Sequence, residues 1–136
     1  MLKSLEDRCN AIEECYEFML AYAAQGVPDD AGSSSGGQLR ELLRRSVEAL
    51  AGLTSGYRAA IQKIGLEPLE TYEAFLAVLE RDASYSRAAM ELVLAQPSLS
   101  SQLIDNLNAS MHVRAVLTDL FLIDEILKSR RVATSL

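Results

Sequence analysis

The chain contains few of the residues that metal sites and redox centres use. Its 136 residues include one histidine, His112, and two cysteines, Cys9 and Cys15. A di-iron helical bundle needs a Glu-x-x-His motif on each of two helices, and a single histidine cannot supply them. The cysteines are six residues apart on one predicted helix, roughly 120° apart around its axis, which is neither a zinc-ligand nor a redox spacing. We therefore expect no metal site, no cofactor and no disulfide between these two thiols.

Long apolar runs and basic stretches are also missing. No segment approaches the roughly 18 consecutive apolar residues that cross a bilayer, and the N-terminal segment is charged throughout, unlike a signal peptide. The net charge is −6 and the isoelectric point is about 4.8, which disfavours binding to a phosphate backbone. These features predict an acidic cytoplasmic protein that binds neither membranes nor nucleic acid.

A strong helical periodicity is what the sequence does contain. In four segments, apolar residues recur at alternating steps of three and four, which is the spacing of one helix face. No run of period two indicates a strand. The second and third connections are short, which favours antiparallel neighbours. The pattern predicts one all-α domain over residues 1–136, folded as an antiparallel up-down-up-down four-helix bundle. Its predicted helices run from Leu2 to Ala23, from Leu39 to Ile64 and from Leu69 to Val93. The fourth follows a cap at Ser98 or Ser100 and runs to about Arg130.

Local signals predict where these helices are interrupted. Residues 26–37 are rich in Gly, Ser, Pro and Asp, which predicts a flexible linker after the first helix. Pro68 is suited to the start of the third helix. Inside that helix, the Asp and Ser of residues 81–84 could cap a new helix and break the segment in two. Residues 132–136 are expected to form a frayed tail.

The first and third predicted helices carry more apolar surface than a bundle core uses. Each has an apolar arc of about 200°, whereas a bundle core needs about 100–140°. Either a partner covers this excess, or the helices pack more irregularly than a square bundle. Because large exposed apolar patches are uncommon on monomers, we favour a dimer or a protein partner. Asp82 lies within the patch and would need a donor there. The predicted interface comprises Cys15, Phe18 and Tyr22 of the first helix with Phe75, Val78, Asp82, Tyr85 and Leu92 of the third.

Polar side chains on the predicted core faces indicate a second possibility. Cys9, Tyr57 and Tyr72 lie on the main apolar stripes and, in antiparallel helices, within ~5 Å of one level along the bundle. Their polar groups could orient a ligand in a pocket between helices. Alternatively, each hydroxyl reaches the surface or a backbone carbonyl.

His112 shares a polar stripe with Asp105, Asn108 and Asp119 on the predicted fourth helix. This stripe is either a weak set of metal ligands or a solvated outer face. The second interpretation is favoured because the stripe lies opposite the apolar arc. We therefore expect His112 to be dispensable.

The favoured function is a non-enzymatic interaction or scaffold module that self-associates or docks a protein partner through its extra apolar helix faces. The alternative is a small-molecule-binding or catalytic bundle with a pocket near Tyr57 and Tyr72. We assign no catalytic residue, because nucleophilic catalysis needs a base held against the nucleophile and the only histidine is expected in solvent.

Overall fold

A computed structural model of the chain describes the backbone of residues 4–135 and the side chains of residues 4–130. This part of the chain contains no strand, which confirms the prediction of an all-α fold. A four-helix bundle is not confirmed, since six helices are found. They are α1 (Leu5–Ala24), α2 (Ser34–Ala51), α3 (Leu53–Ile64), α4 (Leu69–Leu94), α5 (Ser101–Ala109) and α6 (His112–Ser135).

The helices pack around one apolar core. α1 packs mainly on α2 and α5, and α4 packs mainly on α2 and α6. Within the described residues, α1 and α4 have no close backbone contact, so they lie on opposite sides of the core. Ile12, Leu43, Leu76 and Leu120 are fully buried in this core, and each such side chain contributes about 1.5–3 kcal/mol by leaving water. No helix of the described chain is both long and apolar enough to span a bilayer.

The predicted second helix is broken at Gly52, which ends α2 and precedes α3. The guanidinium of Arg8 on α1 donates to the carbonyls of Glu48 at 3.0 Å and Ala49 at 3.2 Å. Both carbonyls belong to the last turn of α2, where carbonyl oxygens lack the amide donors that a continuing helix would supply. A Cβ at position 52 would lie 2.5 Å from the guanidinium. Glycine therefore leaves the room in which Arg8 caps α2.

The predicted fourth helix is broken at Met111. Its φ of 68° is in the left-handed region, which residues other than glycine rarely adopt. The Met111 amide donates to the carbonyl of Asn108, closing α5 before α6 begins. The predicted third helix, in contrast, continues unbroken through residues 81–84 as α4. The possible break at Asp82 is therefore not found.

The segment between α1 and α2 is bonded to the rest of the molecule through Val27, Asp30 and Asp29. Val27 donates its amide to the Ser101 hydroxyl at 2.8 Å and accepts the Ser101 amide at 2.7 Å. α2 begins at Ser34, so residues 34–37 of the predicted linker are helical. The flexibility of residues 26–33 stays a prediction. The predicted frayed tail, residues 132–136, overlaps the end of α6, where no side chain is described. Its last residue, Leu136, lies outside the described residues.

Asp30 provides the second of these attachments. Its carboxylate is only 8% exposed and accepts hydrogen bonds from Arg40 Nε at 2.7 Å and from the Leu99 amide at 2.6 Å. The Arg40 guanidinium also donates to the carbonyls of Leu94 at 3.4 Å and Gln96 at 3.2 Å. The hydrogen bond from Arg40 holds the pKa of Asp30 below its ordinary value. The ion pair joins the α1–α2 segment to α2, and the further hydrogen bonds of its two members join both to the end of α4 and the connection before α5.

Candidate functional site

The α1 half of the predicted interface is packed within the single chain. Cys15 and Tyr22 are fully buried, and Phe18 is half-buried against the core. The Tyr22 hydroxyl donates to the carbonyl of Leu99 at 2.6 Å, and burial raises the pKa of the Cys15 thiol to about 12. α5 packs on α1. The apolar surface predicted to be in excess on the first helix is therefore covered within the same chain.

The α4 half of the predicted interface follows one side of its helix, at steps of three, four, three and seven residues. Tyr85 is 53% exposed and Leu92 is 66% exposed, while the other three are half-buried. The same side of α4 faces α6: the rings of Tyr85 and His112 meet edge to face at 5.8 Å. We call this line the α4–α6 seam, comprising Phe75, Val78, Asp82, Tyr85 and Leu92 of α4 with His112, Asp119 and Leu122 of α6.

One end of the seam is recessed. Tyr72 and Phe75 of α4 and Leu122, Ile123 and Ile126 of α6 line a groove of about 320 Å³. Its walls are formed largely by aromatic and aliphatic side chains, the kind of surface that accepts apolar groups of a partner. Tyr72, predicted to belong to a pocket with Cys9 and Tyr57, lies in this groove.

Two carboxyl groups meet at the middle of the seam. Asp119 of α6 lies within hydrogen-bonding reach of Asp82 of α4. Asp119 Oδ2 is buried and has no donor among the described residues. Burial, with the adjacent Asp82, raises the pKa of Asp119 to about 7, while the positive charge of Arg81 opposes the rise. A nearby carboxylate disfavours the ionised form of Asp119, so this group keeps its proton at pH values where an exposed aspartate has lost it.

The polar stripe predicted around His112 is divided by the break at Met111. Asp105 is exposed on α5, whereas His112 and Asp119 on α6 are half-buried beside α4. The expectation of a solvated outer face is therefore wrong for Asp119. Within the part of the chain whose side chains are described, no group of three or more His, Cys, Asp or Glu side chains is placed to hold a metal ion.

Cys9 and Tyr57 of the predicted pocket do come together. Cys9 Sγ lies 3.2 Å from the Tyr57 hydroxyl, which donates to Asp124 Oδ1 at 2.6 Å. Burial raises the pKa of the Cys9 thiol to about 11, so at neutral pH it is a thiol and not a nucleophilic thiolate. Burial also raises the pKa of Tyr57. Because the fully buried Tyr57 hydroxyl has partners within the chain, it joins α1, α3 and α6 and is not left to orient a ligand.

Tyr57→Phe tests this structural role. Removing the hydroxyl deletes the bond to Asp124 and leaves the Cys9 thiol without its partner, so we expect the free energy of unfolding to fall by about 1 kcal/mol. Tyr72→Phe removes the same atom from a residue in the surface groove and should change stability by less than about 0.5 kcal/mol. Urea unfolding followed by circular dichroism measures both. Equal effects would contradict the role given to Tyr57.

No protein-family model matches this chain, and the searches of curated proteins and of solved structures give no match. A helical fold does not by itself assign a function. The function is therefore inferred from the surface that the fold leaves uncovered.

Proposed function

We propose that the protein is a non-enzymatic interaction module that forms a homodimer through the α4–α6 seam. The observation that carries this proposal is the concentration of exposed apolar side chains. Tyr85, Leu92 and Leu122 are each more than half exposed on the seam, and Leu122 also lines the apolar groove. At about 25 cal/mol per Å² of apolar surface, covering a few hundred Å² gives several kcal/mol before association costs.

The shape of the seam supports a second copy as its occupant. Tyr85 and Leu92 project at one end, and Tyr72 and Phe75 line the groove at the other, ~20–25 Å away along α4. A two-fold axis across the seam near Asp82 sets the projecting end of one copy against the groove of the other. Two-fold dimers use the same patch on both subunits in this way.

The charges near this axis are also compatible with self-association. Arg81 is exposed beside Asp82 on α4. Arg81 brings a positive charge close to these carboxyl groups in each copy. Across a two-fold axis, each Arg81 can approach the carboxyl pair of the other copy, and such complementary charges favour a specific orientation.

The ligand-binding alternative is less well supported, because Tyr57 is occupied by contacts within the chain. We also propose a cytoplasmic location, since both cysteines are free and buried. The net charge of −6 supports a protein partner over a nucleic acid.

Light scattering during size-exclusion chromatography tests the dimer. At ~100 μM and pH 6, the unmodified protein should have twice the mass of its 14.9 kDa chain. We expect Tyr85→Glu combined with Leu92→Glu to give a folded monomer, because both charges fall on the seam and outside the core.

Leu20→Glu provides the matched control. Leu20 is 47% exposed on α1, away from the seam, so this variant should remain dimeric. An unmodified protein that is monomeric at ~100 μM, well above the Kd of stable dimers, would refute the proposed function. So would a Leu20→Glu variant that is as monomeric as the seam variant.

A further inference from the structure

The groove at one end of the α4–α6 seam has an apolar floor and apolar walls. Ile123 of α6 lines it and is only 2% exposed, so this side chain forms the floor. Tyr72 and Phe75 of α4, both half-buried, line one side, and Leu122 and Ile126 of α6 line the other. Aromatic rings facing branched aliphatic side chains form a slot that suits a flat apolar group.

The groove becomes polar towards one end. α4 and α6 are antiparallel, since Tyr85 of α4 meets His112 at the start of α6, whereas the start of α4 shares the groove with the second half of α6. The side chains of Glu67, Thr71 and Arg130 therefore line the same end. A carboxylate, a hydroxyl and a guanidinium supply both donors and acceptors of hydrogen bonds there.

The size of the groove limits what can fill it. Its volume of about 320 Å³ is at the lower end of the ~300–1,000 Å³ of small-molecule sites. One helical turn with its side chains is about 5.4 Å long and about 10–12 Å wide, which amounts to ~400–600 Å³. A partner helix is therefore too large to enter, and residues 4–135 contain no sheet edge that an extended peptide could join. A small molecule fits these dimensions.

The charges at the polar end narrow the chemistry of that molecule. Because Glu67 and Arg130 carry opposite charges, a charged ligand of either sign meets a like charge there. An uncharged hydroxyl or amide can donate to Glu67 and accept from Thr71 without this repulsion. We propose that the groove is a binding site for a small uncharged aromatic molecule with one hydrogen-bonding group, such as a phenol or an aromatic amide. This proposal goes beyond the homodimer, and the site lies within one chain.

Titration with 2-naphthol, an uncharged aromatic alcohol, tests the site by NMR at pH 7. We expect one saturable set of amide shift changes centred on Thr71, Phe75 and Leu122. The Kd should be ~0.1–1 mM, as expected for so small a ligand. 2-Naphthoate has the same rings and a negative charge, and it should bind at least about fivefold more weakly. Tighter binding of 2-naphthoate would overturn the proposed ligand class.

Two neighbouring residues of α6 provide a matched pair of variants. Leu122→Glu places a charge in the apolar part of the groove and should raise the Kd for 2-naphthol at least about tenfold. Phe121→Glu makes the same change at a side chain that is 58% exposed and lies outside the groove, so its Kd should stay within about twofold. Far-ultraviolet circular dichroism verifies that both are folded. Equal weakening in the two variants would overturn the site.

The same titration of Tyr85→Glu combined with Leu92→Glu separates the site from the dimer. Binding to this variant alone supports the site, because a second copy then covers the groove in the unmodified protein. Binding to neither protein would overturn the site, and so would binding to the unmodified protein alone. An unmodified protein that binds 2-naphthol in the groove but is monomeric at ~100 μM would refute the homodimer and leave the site intact.

Discussion

Asp30→Ala is expected to lower the free energy of unfolding by about 3 kcal/mol. The carboxylate accepts from Arg40 Nε and from the Leu99 amide. Its removal leaves a guanidinium that is only 20% exposed without its counter-charge. It also leaves a buried backbone donor without an acceptor, and an unsatisfied buried group costs about 1–3 kcal/mol.

Asp29→Ala is the matched control for that substitution. Asp29 is exposed, and its Oδ1 accepts from the Ala31 amide at 2.9 Å and from the Ser98 hydroxyl at 3.0 Å. We expect a loss of no more than about 1 kcal/mol by urea unfolding, because water can replace these contacts. If Asp29→Ala and Asp30→Ala lower the free energy of unfolding by the same amount, the ion pair with Arg40 is not what stabilises this segment.

The ion pair also makes a prediction for acid unfolding. Because Arg40 holds the pKa of Asp30 below its ordinary value near 4, the pair's stabilisation is present above that pH. It is lost as the pH falls through the lower pKa of the folded state. In Asp30→Ala, stability should therefore fall less steeply below pH 4 than in the unmodified protein.

The second large effect is expected at Gly36, where an alanine Cβ would lie 2.5 Å from the carbonyl oxygen of Asp30 and 2.6 Å from its Cβ. Backbone atoms must move to admit it, and moving them pulls Asp30 from Arg40. We expect Gly36→Ala to lower the free energy of unfolding by about 1–3 kcal/mol.

Gly37→Ala gives a control of opposite sign at the next residue. Nothing lies within 4 Å of a Cβ at Gly37, which is also in α2. Alanine is the better helix former by up to about 1 kcal/mol, so this variant should be more stable than the unmodified protein. Thermal unfolding should give a lower Tm for Gly36→Ala, and a higher Tm for Gly37→Ala, than for the unmodified protein. Shifts in the same direction would contradict the close packing at Gly36.

The sequence predicted the helical segments better than their interruptions. Step-three-and-four periodicity continues across Gly52 and Met111, because each pair of successive helices still turns its apolar side to the same core. The break at Gly52 is completed by Arg8, more than forty residues earlier in the chain, and nothing local shows that contact. At Met111 the left-handed backbone occurs without glycine, the usual signal for it. Conversely, the sequence around Asp82 resembles a helix cap, but α4 continues through it and Asp82 faces α6.

The candidate sites show the same division between local and long-range information. Helix rise predicts one level for Cys9 and Tyr57, and their side chains lie 3.2 Å apart. The position of Asp119 opposite Asp82 could not be predicted, because it depends on how α6 is placed after the break at Met111. Burial of Cys15 and Tyr22 escaped prediction for a related reason: α5, short and separate from α6, is free to pack on α1.

The attachments of the α1–α2 segment have a consequence for how the chain acquires its structure during synthesis. Asp30 and Val27 bond to partners 69 and 74 residues further along, and such distant closure carries an entropic cost that local helix formation does not. On a ribosome, α1 and α2 emerge well before Leu99 and Ser101. The corner between them therefore lacks partners until Leu99 has been made. In a nascent chain ending before residue 99, the Tyr22 hydroxyl has no Leu99 carbonyl to donate to, and the Asp30 carboxylate has no Leu99 amide to accept from.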